Sequence, residues 1–224
     1  MRALKLFVAT CVALAVHLTS FAQPRLHELE YAVLFKAGQY HVSENSVCNP
    51  QVLDSIRNYI PKTFAKGYFI YTLKHCLVCG VSSPDGDYHL NEALSRKRSE
   101  SVAAYLGEHA GLGNVQLLDK GNDWGSLYFH VMFDTLVPYR QEVINLLEDS
   151  GVLEENSPGI SAQRLAQLKE LYGGEAYKYL EDNVFPQLRK CGILVVYYSQ
   201  PKEKNVFPVQ KVYLPRNMVT IVEE

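Results

Sequence analysis

The chain has 224 residues, with 22 Lys and Arg against 24 Asp and Glu, a formal net charge of −2. That mild acidity gives no electrostatic reason to expect a nucleic acid partner. Apolar residues make up 47% of the chain, enough for the core of one domain with insertions, and there is no internal repeat or low-complexity tract.

The first 22 residues have the form of a secretory leader. Arg2 and Lys5 supply positive charge, residues 6–18 are mostly apolar, and Ser20, Phe21 and Ala22 offer small residues around a cleavage point after Ala22. The apolar stretch is short for a membrane span. Export implies an oxidising compartment. The four cysteines beyond the leader, Cys48, Cys76, Cys79 and Cys191, then permit two disulfides whose pairing the count leaves open.

Residues 29–36 predict a first strand, closed by Gly38. Asn49 and Pro50 open a helix as cap and first-turn residue. Its face carries Val52, Ile56 and Tyr59 or Ile60, and Pro61 is expected to end it. Residues 68–81 are rich in β-branched and aromatic side chains and predict a second strand. Pro84, Asp85 and Gly86 mark a turn in the loop 82–90.

Residues 91–109 predict a helix with Leu94, Val102, Tyr105 and Leu106 on its apolar face, stopped by Gly111 and Gly113. A short strand is expected at 115–118. Helices are expected at 139–147, at 161–172 with Ser161 as cap, and at 174–183. The run Ile193 to Tyr198 is apolar throughout, as in an inner strand of a covered sheet. Residues 205–224 alternate weakly, and Pro208 and Pro215 argue for edge or irregular structure. Together these elements predict an α/β fold, a two-layer α+β sandwich: a mixed sheet with helices on one face, and a helical insertion at about 121–184 before the last core strand.

Gly80, Asn91, Leu94, Ser95, Arg98, Val102 and Leu106 stand at a spacing that resembles the OmpA-like domain, the module that anchors bacterial envelope proteins to peptidoglycan. Leu34 and Phe35 are similar to the end of that family's first strand. The family's loop Asp falls on Ser83 in this chain. A second resemblance covers the insertion. Gly121, Asp123 and Trp124, then Arg140, Leu165, Leu168, Gly173, Gly174 and Tyr177, and finally Phe185, Pro186, Leu188 and Arg189 look like OmpA-like proteins of Bacteroides-type bacteria, often encoded beside fimbrial genes. In those proteins the loop commonly reads Ser-Pro-Glu-Gly, which is similar to Ser83-Pro84-Asp85-Gly86.

The resemblance implies a site for the zwitterionic end of a diaminopimelate stem peptide. A carboxylate would hold its ammonium, and an Arg would fork onto its carboxylate. Arg98 and Asn91 match positions of that site. Ser83 offers only a neutral hydroxyl where the carboxylate belongs, and Asp85 or Asp87 are the nearby substitutes. Asp87 equally suits a helix cap and Asp85 a turn. The candidate ligand-binding residues are therefore Ser83, Asp85, Asp87, Asn91 and Arg98.

Cys76 and Cys79 form a CxxC, a pattern of thiol oxidoreductases and zinc sites. Redox CxxC motifs sit at helix N-termini, which lower the thiol pKa. This one lies in a predicted strand, where residues three apart face opposite ways. The expectation is structural: one strand cysteine paired with Cys191 or Cys48, or left as a buried thiol. Trp124 is expected in a core or at its rim. No GxSxG, HExxH or phosphate-binding glycine loop is present.

The resulting expectation is an exported, non-enzymatic OmpA-like protein. It would have a structural or binding role in the cell envelope, as a periplasmic or outer-membrane-associated component with an envelope or fimbrial protein as partner. No cofactor, metal, nucleic acid or integral membrane span is expected. The alternatives are a peptidoglycan-binding anchor and a periplasmic thiol–disulfide protein using the CxxC.

Overall fold

Ile193 to Tyr198 lie in an inner strand, and the sheet is built around them. The computed structural model describes residues 24–44, 49–65, 69–153 and 156–201. Strand β1 (Arg25–Leu34) and strand β2 (Phe69–Ser82) flank β4 (Lys190–Pro201), both antiparallel to it, and β3 (Gln116–Asn122) runs parallel to β2 at the edge. The sheet order is β1-β4-β2-β3. Val195 of β4 stands between Leu29 and Cys76, and Cys191 stands opposite Gly80. The register of β2 against β4 shifts between Leu73 and His75.

Helices α1 (Asn49–Ala65) and α2 (Tyr88–Ala110) cover one face. Leu53, Ile56 and Ile60 of α1 and Val102 and Leu106 of α2 are buried with Val33, Val78, Ile193 and Val195 of the sheet in one core. Each such aliphatic side chain contributes about 1.5–3 kcal/mol on burial. Helix α1 continues through Pro61 to Ala65, so proline does not end it. The buried Ile56 and Ile60 hold the helix on the sheet, and the missing proline N–H costs one hydrogen bond. Asn49 is fully buried and works differently from the expected cap. Its side chain accepts from the Leu34 N–H at 2.8 Å and donates to the Leu34 carbonyl at 2.8 Å, completing the last residue of β1 as a neighbouring strand would.

Helix α2 begins three residues earlier than its periodicity indicates. Asp87 is its cap, accepting from the Leu90 N–H at 2.9 Å. It ends at Gly111, whose φ of 69° is the left-handed conformation that glycine adopts freely. Helix α2 comes very close to the sheet because Gly80, Ser95 and Ser99 are small. The Gly80 N–H donates to Ser99 Oγ at 2.8 Å, and Ser99 Oγ donates to the Leu118 carbonyl at 2.7 Å.

The segment before β4 is helical and has its own core. It comprises α3 (Trp124–Phe133), α4 (Arg140–Asp149), α5 (Pro158–Glu170), a 3₁₀ turn (Leu171–Gly174), α6 (Glu175–Asn183) and the short α7 (Phe185–Leu188). Trp124, Leu127, Leu147, Leu168, Leu180 and Phe185 are buried together there. Trp124 is 1% exposed, which places it in the core and not at the rim. Helix α3 is apolar around its circumference, so no amphipathic period announces it. Helix α5 starts at Pro158 after Ser157, so Ser161 lies inside it and is not its cap. Among the described residues no helix is long and apolar enough to cross a membrane. The leader at 1–22, Cys48 and residues 205–224 lie outside the described residues.

Candidate functional site

The five residues singled out from the sequence converge. Ser83, Asp85, Asp87, Asn91 and Arg98 line one cleft of about 230 Å³ at the start of α2, together with Arg189. Strand β2 delivers the loop 83–87, and the N-terminal turns of α2 supply Asn91 and Arg98. Arg189 comes from the opposite end of the chain. Cys191 stands opposite Gly80, so continuing the antiparallel register two residues brings 189 level with 82.

Arg189 determines the state of the cleft. Its Nη2 donates to Asp85 Oδ2 at 2.6 Å and its Nε to Ser83 Oγ at 3.0 Å, while Ser83 Oγ donates to Asp85 Oδ1. The Arg189 and Asp85 side chains are 14% and 21% exposed. The three side chains form a closed, charge-compensated cluster in which the Asp85 carboxylate is already paired.

Arg98 is 1% exposed and its donors go mainly to the main chain. Nε reaches the Gln39 carbonyl at 3.0 Å, Nη1 the Val81 carbonyl at 2.8 Å and Ser82 Oγ at 3.2 Å, and Nη2 the Lys36 carbonyl at 3.5 Å. The guanidinium also lies 5.1 Å from the Phe35 ring centroid. Burial, helped by the nearby Arg189 charge, lowers its pKa to about 10, so it stays cationic at neutral pH. Arg98 thus joins the segment after β1, the end of β2 and α2.

Asn91 opens a buried polar chain that links the cleft to the insertion. Its Nδ2 donates to the Ser83 carbonyl at 3.0 Å and to Asn122 Oδ1 at 2.5 Å. Asn122 Nδ2 and Trp124 Nε1 both donate to Ser161 Oγ at 2.9 Å. Sequence reasoning assigned no site role to Arg189, Asn122 or Ser161. The Phe185–Arg189 and Gly121–Trp124 motifs marked Arg189 and Trp124 only as features of the insertion. A second cavity of about 490 Å³ lies on the other side of the Asp85–Asp87 turn, against Pro158, Ser161, Leu165 and Lys169 of α5.

Among the described residues the cysteines are not arranged for exchange chemistry. Cys76, Cys79 and Cys191 are all free: of the expected arrangements the bridge to Cys191 is not formed, and Cys76 is a buried thiol, as the third of them allowed. Cys76 stands opposite Val195 and Cys79 opposite Gly192. That separates Cys191 from Cys76 by four strand positions, about 13 Å. Burial pushes the thiol of Cys76 up to about 11 and that of Cys191 up to about 12; burial raises Cys79 as well. With Cys48 replaced by Ser in residues 23–224, Cys76 and Cys191 are expected to resist a thiol reagent at pH 8 and to label only in denaturant. Rapid native labelling of both, or a reversible Cys76–Cys79 bridge, would restore the thiol–disulfide alternative. Among the described residues no group of three or more His, Cys, Asp or Glu is placed to hold a metal ion. Comparison with protein-family models and with curated proteins found no match for this chain.

Proposed function

We propose that this chain is a non-enzymatic binding module of the cell envelope, in which a scaffold resembling the OmpA-like domain keeps its cleft but holds a protein partner in place of the stem peptide. The observation that carries this reading is the Ser83–Asp85–Arg189 cluster. A diaminopimelate ammonium needs a carboxylate with free lone pairs. The nearest one, Asp85, is engaged by Arg189 at 2.6 Å. Arg98, which would fork onto the ligand's carboxylate, spends its donors on three carbonyls and Ser82. A stem peptide would have to displace these internal partners, and truncating or competing away one member of such a pair costs several kcal/mol, about 2–5.

Co-sedimentation of residues 23–224 with purified peptidoglycan sacculi tests this. The parent protein is expected to stay in the supernatant. Arg189→Gln, which releases Asp85, and Ser83→Asp, which restores a carboxylate at the family's position, are expected to sediment. The rival reading, a peptidoglycan anchor with Asp85 or Asp87 as the carboxylate, is supported by the cleft that those residues line with Asn91 and Arg98. Sedimentation of the parent that is lost in Asp85→Asn would establish the anchor and end the present proposal.

A further inference from the structure

Two residues other than glycine have positive φ among the described residues, and both are tyrosines: Tyr139 at 50° and Tyr172 at 45°. The left-handed region crowds the Cβ of an L-residue, and such strain gathers where a side chain must be held in a particular place. The two rings stack on each other, with centroids 4.2 Å apart and planes 12° from parallel. The pair is not a core feature. Tyr139 is 40% exposed and Tyr172 55%, while Phe133 and Leu136, just upstream of Tyr139, are 79% and 75% exposed. The fold spends backbone strain to present aromatic faces to solvent.

The charges around the pair are mostly negative. The charge of Glu175, and to a smaller extent that of Glu142, lies near enough to Tyr139 to raise its phenol pKa. Asp134 sits in the turn before Tyr139 and accepts from the Tyr179 hydroxyl at 2.8 Å. The neighbouring cation, Arg140, donates to the Met132 carbonyl. An apolar partner alone would gain nothing from this acidic surround. A planar guanidinium lies flat on an aromatic face while its edge N–H groups reach carboxylates beside the ring, so it uses both features.

We propose that the Tyr139–Tyr172 pair, with Glu142 and Glu175 beside it and Phe133 and Leu136 as apolar surround, docks an arginine-bearing segment of a partner protein. The surface belongs to the insertion, so the sacculus experiment, which concerns the cleft, neither supports nor removes it.

The test is an NMR titration of residues 23–224 with N-acetyl-arginine amide, beside its neutral isostere N-acetyl-citrulline amide and N-acetylglucosamine. The arginine compound is expected to shift the Tyr139 and Tyr172 ring signals, with saturation at about millimolar concentration. The citrulline compound is expected to be weaker by about tenfold, the loss of one charge-assisted contact. Tyr172→Gly suits the left-handed backbone and removes the ring, so the shifts should vanish while the fold persists. Glu142→Gln with Glu175→Gln keeps both rings and should weaken the arginine response by about tenfold; this variant carries the test if Tyr172→Gly fails to fold. Equal responses to arginine and citrulline, a response only to the sugar, or an arginine response unchanged by these substitutions would overturn the proposal.

Discussion

Gly80→Ala is expected to unfold this protein or leave it barely folded, with a loss of more than about 3 kcal/mol in urea denaturation. A Cβ at that position would stand 2.0 Å from the Ser95 carbonyl oxygen and 2.6 Å from Ser99 Oγ. The first contact is with helix backbone, so relief requires α2 to move off β2. Moving it would break the Gly80–Ser99–Leu118 hydrogen bonds that fasten helix to sheet. Gly107→Ala is the matched control. It lies in α2 itself, nothing stands within 4 Å of its added Cβ, and alanine is the better helix former. That substitution should stabilise by about 0.5–1 kcal/mol. Equal behaviour of the two variants would show that α2 does not sit as closely on β2 as described.

The second large effect is expected at Arg98. Arg98→Met keeps the aliphatic stem and removes the guanidinium, leaving the Val81 and Gln39 carbonyls and Ser82 Oγ without this donor. The cost should be about 2–4 kcal/mol, read as a fall in melting temperature. Arg96→Met, two residues away, removes an exposed pair with Asp119 at 3.2 Å and should cost less than about 1 kcal/mol. A residue kept only to hold a ligand would behave differently: replacing it would leave stability unchanged or raised. If Arg98→Met is as stable as the parent, the guanidinium is not the tie between segments described above, and the stem-peptide reading gains.

Much of the sheet and the cleft could be read along the chain because their cues are local. The run at 193–198 is apolar on both strand faces, which only an inner strand tolerates, and it stands between β1 and β2. The spacing from Gly80 through Asn91 to Arg98 reflects one strand, one turn and one helix, so all five candidate residues reach the same cleft. What escaped depends on register or on absent periodicity. Arg189 meets Asp85 across 104 residues of sequence, through a β2–β4 pairing that composition cannot set. Helix α3 carries apolar residues all round, so it lacks the polar face that marks a helix. Whether a strand cysteine bridges to Cys191 or stays a buried thiol also depends on register, and the register of this sheet leaves Cys76 a buried thiol.

On a linear map the helices between Trp124 and Leu188 look like a detachable cassette. The hydrogen bonds running from Asn91 through Asn122 to Ser161 and Trp124, and the ion pair from Arg189 back to Asp85, make them inseparable from the turn they border. A chimera that exchanged only these helices with those of another protein would leave Asn122 facing a foreign helix and Arg189 held at the end of another. A successful graft must carry residues 83–91, Asn122 and Arg189 along with it. By the same token the turn and the insertion are one mechanical unit, and a substitution on either side is felt through these contacts on the other.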